Sequence, residues 1–135
     1  MIADTGEIFY AEVPFPDAAC SAFVREAVIP LLKQYPHAYC PFTEIGTRIT
    51  AWLEIIKRSD ENIEICIDYQ TDWDLLADAL ENRVPPWCKP RHVGRNINEL
   101  LRYSFHKNNN LPQHHALHDA QANRYAFQES PLSQP

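Results

Sequence analysis

The stretch Ile63-Glu64-Ile65-Cys66-Ile67-Asp68-Tyr69-Gln70-Thr71-Asp72-Trp73-Asp74-Leu75-Leu76 decides how the chain is read. From Ile63 to Asp68 apolar and polar residues alternate with a period of two, the pattern of a strand with one buried face. From Trp73 to Leu80 the pattern turns helical. A helical stripe also precedes the strand, because Ile45, Ile49, Trp52, Leu53 and Ile56 recur at offsets of four, seven, eight and eleven, with Thr43 as the expected cap. A strand between two helices belongs to an α/β sheet.

Working outward, Asp4-Thr5-Gly6 is a turn signal between a short Met1-Ile2-Ala3 arm and the strand formers Ile8 to Val13, so a hairpin is expected. Pro14 and Pro16 end it. Asp17 is placed to cap a helix carrying Phe23, Val24, Ala27, Val28 and Leu31, closed or kinked by Pro30. Val84 to Gly94 is irregular and rich in proline, with a short strand expected near Arg91 to Val93. Ile97, Leu100, Leu101 and Phe105 mark a further helix, and Lys107 to Pro112 a polar loop. A last helix is expected from about His115 to Gln128.

The 135 residues suffice for one domain with one core. A composition 45% hydrophobic and 22% charged is that of a globular chain. The formal charge of −6 argues against binding nucleic acid through a broad basic surface. It leaves room for a carboxylate site that metal ions neutralise. Cys20, Cys40, Cys66 and Cys88 form no C-x-x-C pair, which fits reduced thiols in a cytoplasmic protein. No run approaches the roughly 18 apolar residues of a membrane span.

Two segments carry acids and imidazoles. Asp68, Asp72 and Asp74 sit where the strand gives way to a helix, and ligands in α/β sheets gather beyond the carboxyl ends of strands. The simpler reading is that Thr71 or Asp72 caps the helix and Asp74 favours its positive end. The second segment is His114-His115-Ala116-Leu117-His118-Asp119-Ala120. His115 and Asp119, like His114 and His118, lie four apart and can share a helix face. Both a metal site and a row of solvated histidines fit that spacing. A zinc site of the H-E-x-x-H type does not, because no Glu lies between the histidines.

His114-His115-Ala116-Leu117-His118-Asp119-Ala120, continuing into Gln121-Ala122-Asn123-Arg124, resembles the third motif of DEDDh-type 3′–5′ exonucleases. In that motif a His is followed, after four residues, by a metal-binding Asp and then typically Ala. Asp72-Trp73-Asp74-Leu75-Leu76 is similar to their second motif, an Asp followed by Leu four positions on. The resemblance spans roughly Thr5 to Gln128 and points to the small bacterial exoribonucleases related to RNase T and oligoribonuclease. It implies an RNase H-like mixed sheet flanked by helices, with residues 1–129 as one exonuclease-like domain and 130–135 as a disordered tail. It also implies Mg²⁺ or Mn²⁺ as cofactor, Asp72 and Asp119 as ligands, and His114 as the general base. The substrate would be the 3′ end of RNA or single-stranded DNA. His115 and His118 match no position of the motif and are expected at the surface.

The family's first motif, Asp-x-Glu on a central strand, has no counterpart. Asp4-Thr5-Gly6-Glu7 has one residue too many between its acids, and residues i and i+3 of a strand face opposite sides. The expectation is therefore an N-terminally truncated fold, its first strand missing or supplied otherwise. Either the reading frame starts late, or a homodimer forms through the exposed edge. The alternative to an impaired exonuclease is a catalytically inactive binding or oligomerisation module. A zinc module of His114, His115, His118 and a cysteine is more remote.

Overall fold

A computed structural model describes residues 1–130. The order is a hairpin, a run of short helical turns, helix α1 (Ile45–Ile56), strand β1 (Ile63–Ile67), helix α2 (Gln70–Ala79), strand β2 (Cys88–His92), helix α3 (Glu99–Asn108) and helix α4 (Ala116–Ala126). β1 and β2 are parallel, Ile63 opposite Cys88 and Ile67 opposite His92. A parallel pair needs a crossover, and α2 provides it. The chain is thus of the α/β class, with a small two-stranded parallel sheet among the described residues. Among the described residues, no helix is long and apolar enough to cross a membrane.

α1 forms because its stripe has a partner. Ile45, Ile49 and Leu53 are buried with Cys40, Leu80 and Cys88, and Ile63 and Ile65 of β1 pack on them. The residue at the cap position is Glu44 rather than Thr43, and no side chain caps this end. Glu44 instead pairs with Arg48 at 2.7 Å. A second apolar cluster, Val93, Ile97 and Ala126, joins the end of β2 to α4. Asn96 pins the two together. Buried, it donates from Nδ2 to the carbonyls of Gln128 (2.9 Å) and Glu129 (3.0 Å), while its own carbonyl accepts from the Gln128 N–H at 2.8 Å.

The hairpin is present. Ile2 bridges Ile8 in antiparallel sense, Ala3 donates to Glu7 and Phe9 to Met1, and Gly6 takes the turn at φ 103°. The helix expected from Asp17 is instead three pieces: a 3₁₀ turn at Asp17–Ala19, a π turn at Val24–Val28 and a 3₁₀ turn at Ile29–Leu31. None of them buries a residue. An apolar stripe with no surface to cover does not hold a regular helix, and Pro30 lacks the donor to continue one. β2 lies earlier than the expected Arg91 to Val93 and contains Pro90, which an edge strand tolerates. α2 begins at Gln70, with Tyr69 rather than Thr71 or Asp72 at the cap position. Of the expected tail, residues 131–135 lie outside the described residues.

Gly46 in the first turn of α1 lies against the end of α2, where an added Cβ would come within 2.7 Å of the Ala79 carbonyl oxygen. Alanine is the better helix former by about 1 kcal/mol, but the overlap with backbone outweighs it. Gly46→Ala should lower stability by about 1–2 kcal/mol net in urea denaturation. An unchanged or raised midpoint would show that the end of α2 gives way freely.

Candidate functional site

β1 ends at Ile67, and the chain turns through Asp68 and Tyr69 into α2. This puts Asp68 beyond the carboxyl end of the strand and Asp72 in the first turn of the helix. Asp119 occupies the first turn of α4. Asp68, Asp72, His114 and Asp119 all line one open cavity of about 1260 Å³ that runs along β1. The two acids and the imidazole singled out from the sequence are therefore brought to one cavity.

Asp72 is perturbed. Burial raises its carboxyl above the usual range, and a hydrogen bond with the Asp68 carboxyl and the charge of that group raise it further. Two carboxyl groups in contact hold a shared proton, or a cation in its place. Asp68 also accepts from Asn123 Nδ2 at 3.4 Å and lies 3.7 Å from an Arg102 nitrogen. Asp119 Oδ1 accepts from the His114 backbone N–H at 3.2 Å and stands 3.4 Å from His106 Nε2. The carboxylate thus fixes the turn that carries His114, a residue held at φ 68°, where few side chains are comfortable. The exposed His114 ring meets the Phe23 ring edge-on at 5.1 Å.

The chain matches no family model, no curated protein and no solved structure. The site's reading thus rests on its residues.

The donors Asp68, Asp72 and Asp119 are hard oxygens of the kind that Mg²⁺ and Mn²⁺ take, and the Asp68–Asp72 contact is one that a divalent cation relieves. Among the described residues, no three His, Cys, Asp or Glu side chains already gather into a ligand cluster.

His115 and His118, expected at the surface, are buried, with 1% and 6% of their area exposed. Tyr10 of the hairpin stacks on His115 with ring centres 5.1 Å apart, and its hydroxyl lies 3.3 Å from His115 Nε2. His118 stacks on the other imidazole at 4.4 Å and meets Gln121 Oε1 through Nδ1 at 3.2 Å. The covering residue lies 105 positions upstream, so local spacing could not reveal it. The sequence reading also missed Asp68 as a partner of Asp72, together with Arg102, His106 and Asn123. Only Asn123 left a signal, one helical turn after Asp119.

Burial, and then the neighbouring His118, lower the His115 imidazole below its ordinary value, while Glu12 and Asp119 partly offset them. In the unfolded chain it titrates near 6.5. As pH falls through about 6.5, the unfolded state therefore takes up the proton first. The stability due to neutral His115 is intact above that pH and is lost below it. His115→Phe, which keeps a ring against Tyr10, should shrink the loss of stability between about pH 7.5 and about pH 5.5 in urea denaturation. An undiminished loss would assign the acid sensitivity to other groups.

Proposed function

We propose that the chain acts as a metal-dependent 3′–5′ exonuclease on RNA or single-stranded DNA, with the DEDDh-like resemblance of its two motifs as the guide to roles. The observation that carries this reading is that Asp72, Asp119 and His114 all line one cavity. The open edge of β1, with the hairpin arm Met1–Ala3 on the same cavity, also agrees with an RNase H-like sheet without its first strand.

Asp72 and Asp119, with Asp68 beside them, would hold Mg²⁺ or Mn²⁺. When bound, such ions lower the pKa of water and stabilise a leaving 3′-oxygen. His114 stands exposed at the cavity, and its backbone is tied to Asp119. An imidazole there can take the proton from an attacking water. Arg102, held to Asp68 and Glu99, puts a positive charge at the same mouth, where a phosphodiester would lie.

The test is shortening of a 5′-labelled single-stranded oligonucleotide in Mn²⁺. Asp72→Asn, Asp119→Asn and His114→Ala should each slow removal of the 3′ nucleotide by about 10²-fold or more. Variants that shorten the strand at the parent rate would refute the assignment.

A further inference from the structure

One face of α3 belongs to the cavity. Glu99, Arg102, Tyr103 and His106 follow at offsets of three, four and seven, the spacing of a single helix face, and all four line it. Arg102 reaches Asp68 from this face. His106, one turn further on, is buried, with 5% of its area exposed, and its Nε2 stands 3.4 Å from Asp119 Oδ1.

A buried imidazole at this place is not what packing alone selects. Among the described residues, His106 Nδ1 is buried and has no hydrogen-bond partner. Leucine would fill similar space without stranding a polar atom. The other nitrogen has a use, because it faces a carboxylate. With the ring neutral and its proton on Nε2, an N–H meets Asp119 and the stranded atom is a bare lone pair. The opposite tautomer would strand an N–H and set a lone pair against the carboxylate oxygen.

Asp119 has a second donor on the same oxygen, since the His114 N–H reaches Oδ1 at 3.2 Å. Both contacts thus fall on Oδ1, and among the described residues Oδ2 has no hydrogen bond or ion pair. The Asp119 side chain is 41% exposed and lines the cavity, which leaves Oδ2 as the oxygen that can take a cation.

We propose that His106 is the positioning residue of Asp119: from the buried face of α3 it fixes Oδ1, so that Oδ2 is presented to a divalent cation. This rests on the reading of Asp119 as a metal ligand. Groups behind a metal ligand act by holding its orientation, and losing one typically costs about 10–100-fold in metal affinity. The rival account is a plain packing contact between α3 and α4. The two differ in what happens to stability. If His106 serves Asp119, leucine removes the stranded nitrogen and leaves the fold at least as stable while Mn²⁺ affinity drops. If it serves packing, stability drops as well.

The experiment measures Mn²⁺ affinity by calorimetry and the urea midpoint for the full chain, His106→Leu, His106→Gln and Asp119→Asn. His106→Leu should weaken Mn²⁺ binding by about tenfold or more, with the midpoint unchanged or raised. His106→Gln, whose side-chain amide can donate to Oδ1 from the same position, should recover most of the affinity. The proposal falls if His106→Leu binds Mn²⁺ as tightly as the parent, if its midpoint drops, or if His106→Gln binds no better than the leucine variant. A parent chain without Asp119-dependent Mn²⁺ binding would overturn the nuclease reading and this proposal with it. Parent-like binding by His106→Leu, with binding lost in Asp119→Asn, would overturn this proposal alone.

Discussion

The parallel backbone pairing of β1 with β2 is the constraint on which the arrangement rests. Its bonded edge fixes β2, and the crossover between them must be α2, which starts one residue after the Asp68-Tyr69 turn. Asp68 and Asp72 are in contact because a strand end and a helix start share that turn. Past β2, Val93 and Asn96 bind the chain that follows α4, so the last helix is anchored at its carboxyl end. Its opposite end then delivers Asp119 to the cavity. The acids are far apart in sequence, and two anchored helices bring them to the lining of one cavity.

Elements with a local cause were readable. The Ile45 to Ile56 stripe and the Ile63 to Ile67 alternation each match one period, and each buries the face that the pattern marks. The Asp4-Thr5-Gly6 turn needed a positive φ and has it at Gly6. What failed lacked a local cause. The apolar residues between Phe23 and Leu31 suggested a helix, but helical spacing is stable only against a packed surface, and the sequence does not say that none is there. Pro90 concealed β2 because proline reads as a breaker, and only its place on an edge strand makes it tolerable.

At the site, Asp72, His114 and Asp119 were singled out through the family resemblance, and all three line the cavity. Asp68 was hidden in plain view: read as the last residue of an alternating strand, it lies one residue beyond β1 and shares a hydrogen bond with Asp72. The histidines after His114 were misjudged for a different reason. A polar triplet at a helix start has no intrinsic preference for solvent once an aromatic ring arrives from elsewhere, and Tyr10 arrives from the hairpin. The expectation of RNase H-like topology concerned a sheet of several strands, whereas the described residues form a sheet of two.

From Pro14 to His37 no residue is buried, yet this segment supplies two aromatic walls: Phe23 against His114 and Tyr35 edge-on to His115. Few apolar contacts mean a low free energy of local opening. Amide hydrogens at 17–31 should therefore exchange with solvent well before those of α1, and an opening of this segment would lift Phe23 off His114. The turn holding His114 would then gain water and room to move while the sheet stays folded. Thermal fluctuation at this one margin would thus be coupled to access at the mouth of the cavity.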